Sequence, residues 1–107
     1  MYTLVANMCN DKTLRQTFAS DTGKLLSQII LDFKTDVKEK QYDWLELVHR
    51  QLAVFINVSI EESGQLTLLN QDVIPVIEAT IKECKTSESL EKSVIERCFN
   101  MLSKLMR

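Results

Sequence analysis

Residues 52–77 read LAVFINVSIEESGQLTLLNQDVIPVI, and this stretch decides the fold. Two apolar segments flank a polar break that contains Gly64, and the second segment holds Pro75, the single proline of the chain. A proline is tolerated in the first turn of a helix, where its missing N–H has no intrahelical partner to lose. We therefore predict a short helix over 62–71 and a second helix that starts at an angle to it, with Asp72 as its N-cap.

The spacing of apolar residues predicts helices along most of the chain. Between Leu25 and Phe33 they recur at steps of one and three, which places them on one face of a helix and on no face of a strand. Segment 43–60 carries an apolar stripe too wide for a surface helix, so we expect a central helix packed on two sides. The pattern of the first helix returns over 73–84.

Capping residues indicate where these helices begin. Asp43 followed by Glu46 resembles a capping box, although a start of that helix nearer Glu39 fits the sequence equally well. Ser87 or Ser89 opens a last helix that runs to the end of the chain. The polar stretch 34–43 is interpreted as a solvated connection between two helices.

Composition favours one all-α domain and disfavours several classes of partner. The 107 residues suffice for one domain, and two glycines and one proline leave little turn chemistry for hairpins. The net charge of −2 does not favour nucleic acid or an anionic membrane as partner. No apolar run is long enough to cross a bilayer, and the N-terminus lacks the pattern of a signal peptide. We expect an intracellular protein, cytoplasmic or nuclear.

The residues that usually carry catalysis or bind metals are sparse. Cys9, Cys84 and Cys98 lack paired C-x-x-C spacing and fall in apolar helical stripes, which favours reduced core thiols over reactive or metal-binding ones. The single histidine, His49, has no neighbour placed as a metal ligand. No phosphate-binding loop, serine-nucleophile motif or zinc-hydrolase motif occurs. We predict no enzymatic activity, no cofactor and no metal site.

The chain also matches itself along its length. At an offset of 51, the apolar positions of segment 18–33 fall on those of 69–84, and at an offset of 50, Asn7 falls on Asn57. Asn100, 43 residues after Asn57, lies in a similar apolar setting. A helix that contains asparagine is therefore predicted three times.

This order of a helix with asparagine, a short helix and a third helix resembles the armadillo repeat, and HEAT-type repeats share much of the pattern. The resemblance rests on LAVFINVS, on the helix over 65–71 and on DVIPVIEATI, with weaker copies before and after them. It implies a right-handed armadillo-like superhelix of two to three short repeats. Residues 1–107 would form one helical domain, as a fragment or terminal portion of a longer array. A four- to five-helix bundle is the alternative architecture.

The resemblance also implies a binding surface. The asparagine helices would line a concave groove, where an amide can hydrogen-bond the backbone of an extended peptide through its donor and its acceptor. The alternative, that each asparagine bonds local backbone at its own helix end, stays open. Armadillo proteins that bind basic peptides place a tryptophan one turn before that asparagine. Here Thr3, Ala53 and Glu96 stand at the matching positions, which argues against a basic-peptide groove. The candidate partner-binding residues are Asn7, Arg50, Ala53, Asn57, Ser93, Glu96, Arg97 and Asn100.

Two functions remain open at this stage. The first is a protein–protein interaction scaffold that binds a peptide or helix of a partner protein. The second is a structural segment of a larger repeat protein that self-associates through its apolar end helices. Tyr42 and Trp44 are further candidates as interface aromatics, although Trp44 is favoured as a core residue. The end faces would be formed by Leu4, Val5 and Met8 and by Phe99, Leu102, Leu105 and Met106.

Overall fold

The described part of the chain, residues 2–21, 24–84 and 88–106, is helical apart from short connections, and it contains no strand. The computed structural model thus confirms the all-α prediction. None of the helices described is long and apolar enough to cross a lipid bilayer. These helices are α1 Tyr2–Met8, α2 Lys12–Ala19, α3 Leu25–Glu39, α4 Trp44–Val58, α5 Glu62–Asn70, α6 Val73–Glu83 and α7 Ser89–Leu105.

Helix α4 lies at the centre of the fold. It contacts α1, α2, α3, α5 and α7, which explains why its apolar stripe is wide. Leu52 and Phe55 are fully buried, and the Phe55 ring meets the Phe33 ring edge-on with 5.3 Å between centroids. The prediction of a central helix packed on more than one side is confirmed. Trp44, its first residue, is half-buried and packs against the core, whereas Tyr42 is fully exposed.

Each of the first four helices packs against the helix that comes three places later. Helix α1 contacts α4 and α4 contacts α7, so the helices that carry Asn7, Asn57 and Asn100 are successive neighbours. Helix α2 contacts α5 in the same way, and α3 contacts α6. The backbone follows the same offset, since Asp21 and Asp72, 51 positions apart, are both left-handed with φ of 59° and 57°. The internal match in sequence is accompanied by a match in space.

The polar break in the stretch 52–77 is confirmed as a junction between two helices. Helix α5 ends at Asn70 and α6 begins at Val73, so Pro75 is the third residue of α6, where N–H groups lack an intrahelical acceptor. Asp72 occupies the N-cap position, but its side chain makes no capping hydrogen bond. Its left-handed backbone therefore sets the angle between the two helices.

The prediction of a solvated connection over 34–43 is wrong for most of that stretch. Helix α3 continues to Glu39, and the connection is confined to 40–43. The physical reason is Val37, which lies one turn after Phe33 on the same helical face and is 4% exposed. One more apolar contact extends the helix through a charged sequence.

The predicted helix starts agree in position but not in capping chemistry. Asp43 precedes α4 without a side-chain capping bond, because its backbone lies outside the extended region from which a cap reaches back. Glu46 pairs with Arg50 instead, so the capping-box prediction is wrong. Helix α7 begins at Ser89 with Glu88 as N-cap, and Ser87 lies outside the described residues.

Helices α2 and α5 pack closely along a line that we call the α2–α5 seam. Arg15 Nε donates to Glu61 Oε1 at 2.9 Å, and a terminal nitrogen of the same guanidinium donates to the Cys9 carbonyl at 3.2 Å. The Thr67 hydroxyl donates to the Ala19 carbonyl at 3.2 Å. The polar groups that the seam encloses thus find partners within the chain. The seam is formed by Cys9, Arg15, Ala19, Glu61, Gly64 and Thr67.

Gly64 permits the close packing of α5 against the end of α4. A β-carbon at this position would lie 2.1 Å from the Val58 carbonyl oxygen and 3.3 Å from the Ala19 Cβ. The first distance is far shorter than any van der Waals contact, and the atom it involves belongs to the backbone, which cannot swing away as a flexible side chain could. The glycine in the polar break is therefore required by packing.

Candidate functional site

A polar depression of about 270 Å³ lies where α1, α4 and α7 meet. It draws its walls from the same three helices that carry Asn7, Asn57 and Asn100. We call this surface the α1/α4/α7 face. The residues that line it are Ala6, Asn7, His49, Arg50, Ala53 and Arg97.

Arg97 is the charged group held most firmly in this face. Its side chain is half-buried, and one terminal nitrogen donates a short hydrogen bond to the His49 carbonyl, which ties α7 to α4. Burial lowers the pKa of the Arg97 guanidinium from its ordinary value, yet the group stays charged at neutral pH. Among the described residues, no carboxylate lies within 4.0 Å of it. Within the described ranges, Arg97 is thus a positioned cation without a counter-ion.

His49 lies beside Arg97 and is neutral at pH 7. Burial lowers the pKa of its imidazole below the ordinary value of 6.5, and the charges of Arg97 and Arg50 lower it further. The carboxylate of Glu46 acts in the opposite direction with a smaller effect. The imidazole therefore experiences a net positive environment on this face.

Arg50 contributes a second, more exposed positive charge. One of its terminal nitrogens lies 3.0 Å from Glu46 Oε1, one helical turn earlier on α4. Both side chains are about half exposed, and such a surface pair contributes only a few tenths of a kcal/mol. A carboxylate from a partner could compete for this arginine at little cost.

Asn57 connects two of the helices that form the face. Its Nδ2 donates to the Ala6 carbonyl at 3.1 Å, across 51 positions of sequence. Ala6 lies in the last turn of α1, where carbonyls lack an intrahelical donor. The amide therefore bonds the backbone of a neighbouring helix, and not that of its own helix end.

The predicted binding residues do not all meet in the depression. The depression is lined by Asn7, Arg50, Ala53 and Arg97. Asn57 does not line it but donates a hydrogen bond to the carbonyl of Ala6, which does. On α7, the side chain of Ser93 is half-buried, those of Glu96 and Asn100 are exposed, and none of the three lines the depression. The side chain of Thr3 lies outside the described part of the chain.

His49 and Ala6 are the lining residues that the sequence analysis did not select. His49 precedes the candidate Ala53 by four positions, so helical spacing could have placed it on the same face of α4. In the structure its carbonyl accepts a hydrogen bond from Arg97. Ala6 contributes a backbone carbonyl, and no pattern in the sequence indicates such a role.

The three cysteines offer no reactive thiol in this arrangement. Cys9 and Cys98 are buried and Cys84 is half-buried. Burial raises the pKa of all three thiols, and that of Cys98 reaches about 12, so the nucleophilic thiolate is scarce at neutral pH. Within the described ranges, no group of three or more His, Cys, Asp and Glu side chains could hold a metal ion.

The apolar end faces are smaller than predicted. Leu4, Met8, Phe99 and Met106 are exposed, as the end-face hypothesis requires. Val5 and Leu105 are buried, at 5% and 6% exposure, and Leu102 packs against the core. The prediction is wrong for Val5 and Leu105, because both lie on the sides of α1 and α7 that meet the core.

Two other depressions occur among the described residues. One of about 360 Å³ lies between α3 and α6 and includes Lys34, Lys38 and Lys40. The second, of about 200 Å³, is an apolar depression beside Met8 and Leu14. Neither contains an arginine. In the larger one Lys34 is half-buried, Lys38 is exposed, and Lys40 lies 4.0 Å from the Glu83 carboxylate. The depression between α3 and α6 is larger than that of the α1/α4/α7 face, but it has no arginine held in place by a hydrogen bond.

Comparison of the chain with models of protein families, with curated proteins and with solved structures finds no match.

Proposed function

We propose that the chain is an armadillo-like interaction scaffold whose α1/α4/α7 face binds an extended segment of a partner protein. The observation that carries the proposal is the packing order, in which α1, α4 and α7 are successive neighbours and enclose a polar depression. In a helical repeat, equivalent helices stack side by side and their common face becomes a continuous surface. The free thiols suit a reducing, intracellular compartment.

The correspondence between the two helix triplets supports this architecture over a plain bundle. Leu26 and Ile77 are both fully buried at an offset of 51, and Cys9 and Ser59 are both buried at an offset of 50. A four- to five-helix bundle needs neither the short helix α5 nor a proline that opens α6. Two triplets with equivalent buried positions agree better with a repeat.

The chemistry of the face suits an extended peptide. Asn7 is exposed in the depression, and its amide offers both a donor and an acceptor to a peptide backbone. Ala53 is small and leaves space for a chain to pass close to α4. The face thus combines room for a backbone with polar groups that can bond it.

A display selection tests the proposal. Random twelve-residue peptides are selected on the intact chain, and the affinity of the selected peptides is measured by fluorescence polarisation. Ala53→Trp fills the depression and is expected to reduce binding at least about tenfold, the equivalent of one lost favourable contact of moderate strength. If Ala53→Trp lowers the melting temperature, the exposed Asn7→Trp takes its place.

The matched control places the same side chain in the depression between α3 and α6. Ala79 lines that depression and is exposed, so Ala79→Trp is expected to leave peptide binding unchanged. Peptides that lose affinity with Ala79→Trp and keep it with Ala53→Trp would move the binding surface to the α3–α6 side and overturn the proposal.

A second candidate function, self-association of a structural segment, is favoured by the exposed apolar ends. Leu4 and Met106 are each 65% exposed and Phe99 is 57% exposed. Light scattering of the intact chain tests this function. A dimer that Phe99→Lys and Leu4→Lys dissociate would support it, and a monomer at millimolar concentration would exclude it.

A further inference from the structure

We propose that the segment bound by this face is acidic, and that Arg97 and Arg50 donate hydrogen bonds to one of its Asp or Glu carboxylates. This inference rests on the proposed function and adds the chemistry of the partner.

The pairing of Arg97 within the described residues is incomplete. A guanidinium carries five N–H donors, and the hydrogen bond that the described residues give Arg97 uses one of them, on the His49 carbonyl. A half-buried charge without a counter-ion is unfavourable, because part of its hydration is lost and no opposite charge replaces it. A carboxylate placed in the depression would supply that charge and could bond two guanidinium nitrogens at once.

The charged groups around the depression add up to a positive surface. Helix α4 contributes Arg50 and its partner Glu46, and α7 contributes Arg97. Helix α1 carries no charged residue, and the α1 residues that line the depression are Ala6 and Asn7. Glu96 adjoins Arg97 in sequence, but neighbouring residues on a helix do not face each other, and Glu96 does not line the depression. Burial lowers the pKa of His49, and the charges of Arg97 and Arg50 lower it further, in agreement with this positive excess.

The lysine-lined depression between α3 and α6 is a weaker candidate for the same ligand. Lys40 Nζ already lies 4.0 Å from Glu83 Oε1, and the side chains of Lys38 and Lys40 are exposed. Exposed ammonium groups on flexible stems lose entropy when they are fixed, and they lack the planar geometry that pairs with a carboxylate. Charge complementarity therefore favours the α1/α4/α7 face.

The test extends the display selection to the composition of the selected peptides. Peptides selected on the intact chain are expected to be enriched in Asp and Glu over the input library, and the enrichment is expected to disappear with Arg97→Gln. The acidic residue that matters is then changed to its amide in a synthetic peptide. We expect this change to weaken binding to the intact chain about tenfold and to have little effect on binding to Arg97→Gln.

Further measurements separate the possible failures. If Arg97→Gln does not fold, as judged by circular dichroism, Arg50→Gln at the exposed position is used and a smaller loss in the same direction is expected. Peptides that bind in an Ala53-dependent way without acidic enrichment would overturn this inference and leave the proposed function in place. Absence of any Ala53-dependent peptide would overturn both. Saturable binding of inorganic phosphate alone, with no preference for acidic peptides, would overturn the inference in favour of a simple anion site.

Discussion

Two arginines in this molecule have opposite surroundings. In the α2–α5 seam, Arg15 meets the Glu61 carboxylate and the Cys9 carbonyl, so its charge and two of its donors are satisfied within the chain. In the α1/α4/α7 face, Arg97 donates to the His49 carbonyl and has no carboxylate within 4.0 Å among the described residues. The first arrangement is typical of a residue that holds helices together, and the second leaves most donors of the guanidinium open to the partner proposed above.

The comparison explains why one surface is structural and the other is a candidate for binding. A buried ion pair stabilises only if both charges find good geometry, and removing one partner leaves the second unpaired. A charge that lacks a partner in the free protein contributes little to folding. It can contribute strongly to a complex in which a partner neutralises it. Substitutions in the α2–α5 seam should therefore lower stability more than substitutions in the α1/α4/α7 face.

The largest effect is expected from Gly64→Ala in the α2–α5 seam. The added β-carbon would lie 2.1 Å from the Val58 carbonyl oxygen, so α5 must move away from the end of α4. We expect the free energy of unfolding to fall by about 3 kcal/mol or more, measured by urea denaturation. Ser63→Ala, one position earlier at an exposed site, is the control and should change it by less than about 0.5 kcal/mol. Equal values for the two variants would contradict the close packing of the seam.

The two arginines themselves give the next effect. Arg15→Gln removes a charged bond to Glu61 and leaves that carboxylate unpaired at 19% side-chain exposure, so we expect a loss of about 2 kcal/mol in unfolding free energy. Arg97→Gln removes the hydrogen bond to the His49 carbonyl together with a charge that has no counter-ion among the described residues. The relief of that unpaired charge offsets part of the lost bond, so the change should cost less than about 1 kcal/mol. Thermal unfolding followed by circular dichroism measures both. A larger loss for Arg97→Gln than for Arg15→Gln would reverse the roles assigned to the two regions.

A smaller effect on the free energy of unfolding is expected at Asn57, which links α4 to α1 within the α1/α4/α7 face. Asn57→Ala removes the bond to the Ala6 carbonyl and should lower the unfolding free energy by about 1 kcal/mol. Asn100→Ala, at an exposed position, is the comparison and should stay within about 0.5 kcal/mol. If both variants were neutral, Asn57 would not tie α1 to α4.

The smallest effect concerns the pH dependence of stability. The pKa of His49 is lower in the folded chain than its ordinary value of 6.5, so below pH 6.5 the unfolded chain binds more protons. The contribution of His49 is therefore complete above that pH and is lost as the pH falls toward the folded-state pKa. The loss should stay below about 1 kcal/mol, because the ring is half exposed and solvent screens it.

His49→Gln isolates this contribution because the chain has a single histidine. Unfolding of the original chain and of the variant is compared at pH 7 and pH 5.5, and the variant should lose less stability on acidification. A variant that loses as much stability as the original chain would show that the pKa of His49 is not lowered in the folded chain.

Much of the fold could be predicted from the sequence, because helical spacing and one proline carry strong local information. The break before Val73 and the central position of α4 followed from the apolar pattern of 52–77 and 43–60. The extension of α3 to Glu39 could not be predicted, since it depends on a single valine, Val37, that reaches the core from within a charged segment.

The site could be predicted only in part. The resemblance to armadillo repeats placed Arg50 and Arg97 among the candidates. It could not show that Arg50 would have a carboxylate partner while Arg97 has none among the described residues. Pairing depends on distances between helices that are far apart in sequence. The same reason applies to Asn57, whose partner, the Ala6 carbonyl, lies 51 positions away and is a backbone group without a sequence signal.

The most direct test of the account maps a selected peptide onto the chain by NMR. A ¹⁵N-labelled sample is titrated with the peptide, and the signals of the Asn7 side-chain amide, the Ala53 backbone amide and the Arg97 Nε are followed. The account predicts that these three shift most, while the backbone amides of Ala79 on α6 and Leu66 on α5 stay in place. Largest shifts at Ala79 or Leu66, with Arg97 unchanged, would contradict it.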